Sequence, residues 1–172
     1  MLLAPTKDSE HDTLAVSQMV NTFHGDPSPD RPPRILALDF GSKTIGLAVS
    51  DELGLTAQGL PTLRRSNKRS DLDHLRRTIR QYGVSELVMG LPLRMSGSEG
   101  IQSEKVQTFA EELRRKFKLP VHLFDERLTS VEANRLLRET DMSIKRRAEV
   151  VDQLAAVLIL QAFMEHRKTT QI

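Results

Sequence analysis

The segment that decides the fold reads ILALDFGSKTIGLAVS from residue 35 to residue 50. Four apolar residues lead to Asp39, a glycine-containing turn follows, and a second apolar-rich run completes the segment. Continuous apolar runs of this length, bounded by turn residues, are typical of buried β-strands. The sequence therefore predicts two antiparallel strands joined by a tight turn. A third strand is predicted over residues 55–63, short or at a sheet edge, because Gly59 and Pro61 interrupt it.

The part of the chain after this hairpin alternates between helical and strand patterns. Apolar residues recur every three or four positions over residues 72–82, which predicts a helix capped by Ser70 and ended by Gly83. The other predicted elements are a strand over 86–90, a helix around 106–117, a strand over 121–124, and helices over 129–138 and 147–166. Strands that alternate with helices indicate helices packed on a central sheet. The predicted class is α/β with a mixed sheet.

The composition is that of a globular protein. The chain has 172 residues, of which 38% are hydrophobic and 28% charged, whereas disordered chains are poorer in apolar residues. Its longest apolar run, residues 154–160, is much shorter than the roughly 20 residues that cross a bilayer. The absence of cysteine excludes disulfides, thiol catalysis and thiolate zinc sites. Because the N-terminus also lacks a basic leader followed by an apolar stretch, we expect a cytoplasmic protein without membrane contact.

The first 33 residues differ from the rest of the chain. They contain five acidic and two basic residues together with five of the eight prolines, and the closely spaced prolines cannot continue a helix or a central strand. We therefore predict a disordered arm over residues 1–33 and one domain over residues 34–172. That domain carries a net charge of +5, which favours a polyanionic partner because basic side chains bind phosphates.

Three acidic positions lie where the pattern predicts an apolar residue or the end of a strand. They are Asp39 after the first apolar run, the pair Asp125–Glu126 after a later strand, and Asp152 within the apolar stripe of the last helix. An isolated buried carboxylate is costly, so each must be exposed, paired with a base, protonated or bound to a cation. Separate pairing with bases explains each position individually. A shared divalent cation would satisfy all three at once, because Mg²⁺ prefers carboxylates and water as ligands.

The turn over residues 40–44 allows two interpretations. In one, Gly41 adopts a positive φ and approaches a phosphate that Lys43 or Thr44 contacts; in the other, the segment is a plain hairpin turn. Basic residues cluster at 64–69, 76–80, 114–116 and 145–147. These clusters are either solvated helix faces or a surface that attracts phosphates. Arg127, which follows the acidic pair, either neutralises that pair or clamps a scissile phosphate.

Four sequence motifs, taken together, are specific enough to indicate a protein family. They are DFGSKTIGLAVSD at 39–51, GLPL and GSEG within 90–100, DERLT at 125–129 and VDQLAA at 151–156. In this order and with this spacing they resemble the YqgF/RuvX family of pre-16S rRNA nucleases, also described as Holliday-junction-resolvase-like proteins. The resemblance spans about residues 34–167. It implies an RNase H-like fold, in which helices flank a five-stranded mixed sheet.

The resemblance also implies an activity and its residues. Asp39, Glu126 and Asp152 would be catalytic and would hold Mg²⁺ or Mn²⁺, with two ions that activate water and stabilise the leaving oxygen. The reaction would be metal-dependent hydrolysis of phosphodiester bonds that processes the 5′ end of pre-16S rRNA. Adjacent residues of an extended strand point to opposite sides, so we expect only one of Asp125 and Glu126 to be a ligand, and we favour Glu126. Further contacts, with the ligands or with a substrate phosphate, are predicted for Asp125, Arg127, Gly41, Lys43 and Thr44.

Two other functions remain open at this point. A Holliday junction resolvase would keep the chemistry and act on branched DNA. A non-catalytic RNA-binding or transcription-associated factor would keep the fold and would not need Asp39, Glu126 and Asp152. The ATPase and sugar-kinase superfamily shares the sheet and an Asp-x-Gly phosphate turn, but it needs two such domains and the chain after the arm supplies one. Both a monomer and a homodimer are compatible with the sequence.

Overall fold

The computed structural model of the chain describes residues 32–93, 100–125 and 144–170, and the side chains of all of these except 144–150. Five strands form one sheet: β1 Ile35–Phe40, β2 Thr44–Ser50, β3 Ala57–Arg64, β4 Glu86–Leu91 and β5 Val121–Asp125. The described helices are α1 Lys68–Tyr82, α2 Ile101–Phe117 and α3 Ile144–Thr170. The helix predicted over 129–138 lies outside the described residues, and so does the predicted arm apart from residues 32 and 33.

The sheet has the strand order β3-β2-β1-β4-β5. β2 is antiparallel to β1 and β3, whereas β4 is parallel to β1 and β5. The predicted five-stranded mixed sheet is therefore confirmed, with β3 at an edge as its Gly59 and Pro61 suggested. Because β1, β3, β4 and β5 all run in one direction, their carboxyl ends lie along the same side of the sheet, which we call the carboxyl edge. The β1–β2 turn and the first residues of α1 and α2 lie at this edge too.

Alternating side chains of the strands form two cores on opposite faces of the sheet. Leu36 and Leu38 of β1 pack with residues of α1 and α2, such as Leu75 and Phe109. The members of the second core are Ile35, Ala37, Ala48, Val88 and Phe124 from the sheet and Ala156, Ile159, Leu160 and Met164 from α3. This alternation fixes which face each strand residue occupies, because neighbouring residues of a strand point to opposite sides.

The ends of α1 correct one prediction and confirm another. The N-cap is Asn67 and not Ser70: the Asn67 side-chain oxygen accepts a hydrogen bond of 3.0 Å from the Ser70 backbone N–H. An Asn at this position satisfies a backbone donor that the helix itself leaves unpaired, and the apolar pattern, which begins only at Leu72, gave no sign of the earlier start. Gly83 ends the helix as predicted, with a φ of 61°.

The last helix is longer than the sequence pattern predicted. The prediction covered residues 147–166, whereas α3 runs from Ile144 to Thr170. The added residues, 144–146 and 167–170, are mostly polar and extend the helix beyond its apolar stripe. Within the described residues, no helix is both long enough and apolar enough to cross a membrane.

Candidate active site

Asp39 lies on the face of the sheet that α3 covers, close to the carboxyl edge. It is the fifth residue of β1 and pairs with Gly46 of β2 in the antiparallel register. Ile35 and Ala37, which precede it by four and two positions, belong to the core under α3, so Asp39 continues that row. The strand pairing therefore holds a carboxylate at the end of an apolar row beneath a helix.

Gly46 allows α3 to approach the sheet directly beside Asp39. A Cβ atom built on Gly46 would lie 2.1 Å from the Asp152 carbonyl oxygen and 3.3 Å from the Asp39 Cβ. A second glycine, Gly59 of β3, lies under Gln153, with a built Cβ 2.6 Å from the Gln153 Cγ. A larger residue at Gly46 would meet the backbone of α3 and push the helix away, whereas one at Gly59 would meet only the Gln153 side chain. Gly46 thus lets Asp152 approach Asp39. Sequence reasoning gave Gly46 no such role, although a glycine inside an apolar strand was a signal of close backbone approach.

The electrostatics of Asp39 show that this arrangement is costly without a counter-charge. Burial and, to a lesser extent, the negative charge of Asp152 together raise the pKa of the Asp39 carboxyl from 3.8 to about 6. Both causes disfavour the ionised form. A cation bound between the two carboxylates would offset both, and carboxylate oxygens are the ligands that hard divalent cations prefer. The residues present therefore fit a divalent metal site.

Asp125 lies on the other face of the sheet from Asp39. Val121 and Leu123 of β5 pack with the core on the α1 and α2 side. Asp125 follows them at the same two-residue spacing, so it belongs to the same face of the sheet. Phe124 belongs instead to the core under α3. Asp39 and Asp152 are therefore the two predicted acids that the structure brings together. Within the described residues, no group of three potential metal-binding side chains forms, and the predicted site residues Glu126 and Arg127 lie outside them.

The β1–β2 turn is closed by its own backbone. The Gly41 N–H donates a hydrogen bond of 2.9 Å to the Thr44 carbonyl oxygen. The interpretation that gave Gly41 a positive φ is wrong on that point, because the described glycines with positive φ are Gly54 and Gly83. Gly41 is needed for space: a built Cβ would lie 2.9 Å from that Thr44 oxygen. Lys43, at the tip of the turn, is exposed.

Arg65 stabilises this turn through contacts that the sequence did not predict. Its guanidinium donates a hydrogen bond of 2.8 Å to the Gly41 carbonyl oxygen and lies 4.3 Å from the centre of the Phe40 ring. Its Nε atom is 3.4 Å from a carboxylate oxygen of Asp71, which is buried at the start of α1. Arg65 therefore belongs to the architecture of the site, whereas the sequence showed it only as one base in a cluster of four.

A five-stranded mixed sheet in this order, with helices on both faces and a carboxylate pair beside the end of its first strand, defines the RNase H-like class of fold. Among solved structures, "T. thermophilus RuvC in complex with Holliday junction substrate" is similar to this fold, with a TM-score of 0.52 and 14% identity. The match covers 81% of this chain and 98% of that one.

The chain belongs to the RuvX family, since residues 33–166 match the family model described as "RuvX: Holliday junction resolvase". It is 63% identical over 134 residues to a protein of Koribacter versatilis, a match that covers 78% of this chain and 88% of the relative. It is 55% identical over 132 residues to a protein of Moorella thermoacetica, covering 77% and 94%. Both relatives carry the name "Putative pre-16S rRNA nuclease".

Proposed function

We propose that this protein is a metal-dependent nuclease that processes the 5′ end of pre-16S rRNA in the cytoplasm during ribosome biogenesis. The observation that carries the proposal is the placement of Asp39 against Asp152, in a chain of the RuvX family. The names of its relatives supply the substrate. The family match over residues 33–166 also agrees with a nuclease domain that begins near residue 34, preceded by the predicted arm.

The proposed ligands are Asp39, Asp152 and Glu126, which would hold Mg²⁺ or Mn²⁺, with two ions as the resemblance implies. Asp125 cannot share the face of Asp39, which supports its neighbour Glu126 as the third ligand. The bound ions would supply Lewis acidity and activated water to phosphodiester hydrolysis.

The residues of the chain hold the site in place. The β1–β2 pairing fixes the direction of Asp39, and the contact of α3 with Gly46 fixes the backbone of Asp152. Burial of Asp39 lowers the local dielectric constant, which would strengthen the attraction of the carboxylate pair for a cation. The compact turn stabilised by Gly41 and Thr44 presents Lys43 to solvent at the carboxyl edge, where it would contact a phosphate of the substrate.

A second candidate function is cleavage of branched DNA, which the description of the family favours. The chemistry at Asp39 and Asp152 would be the same, so the carboxylate pair does not separate the two substrates. Cleavage of matched RNA and DNA substrates does.

The test is cleavage of a 5′-extended precursor 16S rRNA fragment and of a DNA four-way junction, each with Mn²⁺ or Mg²⁺. Asp39→Asn should abolish cleavage, whereas Asp73→Asn on the surface of α1, which pairs with Arg76, should not alter it. RNA cleavage lost in the first variant supports the proposal, and preferred junction cleavage supports the resolvase. A folded protein that binds RNA and cleaves neither substrate would instead be a non-catalytic RNA-binding factor.

A further inference from the structure

Two segments at the carboxyl edge carry only positive charge. Residues 41–44 comprise the β1–β2 turn and the first residue of β2, and residues 64–70 run from the last residue of β3 through the connection into the first turn of α1. Together they contain five basic residues and no acidic residue. A local excess of this kind attracts phosphates more strongly than the net charge of the chain would suggest.

The fold places these two segments side by side. Thr44 pairs with Arg64 in the β2–β3 register, and the Arg65 backbone N–H donates a hydrogen bond of 2.9 Å to the Lys43 carbonyl oxygen. Lys43 is three residues from Gly46, the partner of Asp39, and a strand rises about 3.3 Å per residue. The charged segments therefore begin within about 10 Å of the Asp39 backbone.

Four of the five bases, Lys43, Arg64, Lys68 and Arg69, are exposed to solvent. Arg65 is committed to the turn, as described above, and Lys68 forms an ion pair of 2.8 Å with Glu112 of α2. We call Lys43, Arg64 and Arg69 the edge bases.

We propose that the substrate RNA crosses the carboxyl edge from Asp39 over the β1–β2 turn towards the start of α1, and that the edge bases bind its phosphates. This inference rests on the proposed function, and it adds the direction in which the strand leaves the site. Asp39 faces α3 whereas α1 covers the opposite face of the sheet. A strand on this path therefore passes over the edge of the sheet and not along either face.

The chain offers a matched set of bases far from this edge. Arg80 lies in the last turn of α1, and Arg115 and Lys116 lie in the last turn of α2. All three are exposed. Since α2 is 17 residues long, its end lies about 25 Å from its start at the carboxyl edge. These far bases match the edge bases in number, charge and exposure.

The experiment compares two triple variants of the full chain, Lys43→Gln/Arg64→Gln/Arg69→Gln and Arg80→Gln/Arg115→Gln/Lys116→Gln. Binding of a 5′-extended precursor 16S rRNA fragment is measured by fluorescence anisotropy in EDTA over a range of KCl concentrations. Each phosphate contact contributes about 0.7–0.9 to the slope of log Kd against log salt. The edge variant should lose about 2–3 from this slope and on the order of 100-fold in affinity at 0.1 M salt. The far variant should keep a salt slope and an affinity close to those of the unmodified protein.

The outcomes separate this inference from the proposed function. Equal losses of RNA affinity in the two variants would show diffuse attraction and overturn the inference. A loss of affinity in the far variant alone, or in neither variant, would overturn it too. Thermal unfolding checks that both variants are folded, and the three single edge variants replace the triple variant if it is not. Binding in EDTA requires no turnover. If the unmodified protein does not cleave RNA with metal added but the edge variant still loses affinity, the proposed function fails and the binding path stands.

Discussion

Replacing Asp39 by Asn should make the metal-free protein more stable at neutral pH, although it removes a proposed metal ligand. The reason is the surroundings of the carboxyl group: burial first, and then the negative charge of Asp152, together raise its pKa to about 6. At neutral pH the folded protein therefore holds an ionised group in a place that disfavours ionisation. Asn has nearly the same shape and carries no charge.

The size of the effect follows from the pKa difference between the folded and unfolded states. A pKa of about 6 instead of 3.8 corresponds to about 3 kcal/mol. Because the folded-state pKa of Asp39 is the higher one, the protonated form stabilises the protein fully below pH 3.8, and this contribution is lost as the pH rises through 6. Burying the Asn amide offsets about 1–2 kcal/mol. A net gain of about 1–2 kcal/mol, or roughly 2–8 °C in Tm, is expected above pH 7.

The assay is thermal unfolding in EDTA between pH 4 and pH 8, with Asp73→Asn as a surface control. The advantage of Asp39→Asn over the unmodified protein should grow as the pH rises from 4 to 7 and then level off. A variant that is less stable at pH 7.5, or a difference that does not change with pH, would refute the reasoning about burial and Asp152.

Three other perturbations test the site. Adding Mn²⁺ should raise the Tm of the unmodified protein but not that of Asp39→Asn, because the cation offsets the carboxylate repulsion; equal shifts would contradict the ligand assignment. Gly46→Ala should displace α3 and lower the free energy of unfolding by about 1–3 kcal/mol in denaturant titrations. The rate of cleavage should fall as well. Unchanged stability would show that α3 has room to move. Arg65→Gln should lower the stability of the protein, and Arg65→Lys should lower it too, since lysine cannot both stack on Phe40 and reach Gly41 and Asp71. Full stability of Arg65→Lys would mean that charge alone suffices.

The sheet could be predicted from the sequence because its strands are locally distinct. The apolar run before Asp39 and the run after Thr44 have no helical periodicity, and the turn between them is short. The ends of the helices were less predictable, since Asn67 caps α1 through a polar side chain outside the apolar pattern. The length of α3 was underestimated for the same reason.

The site was only partly predictable. Asp39 and Asp152 stood out because a carboxylate in an apolar pattern demands a partner. The contact that joins them depends on Gly46 and on the packing of α3, which no local pattern encodes. Arg65 was similarly hidden, because its hydrogen bond to Gly41 links residues 24 positions apart in the chain.

The measurement that tests the central claim most directly is cleavage of a 5′-extended precursor 16S rRNA fragment as a function of Mn²⁺ concentration. It compares the unmodified protein with Asp39→Asn and Asp152→Asn, under conditions in which all three bind the RNA. If the two carboxylates hold the catalytic metal, each variant should lose at least about 100-fold in rate, and more Mn²⁺ should not restore it fully. Metal-dependent cleavage at the unmodified rate in either variant would contradict the account.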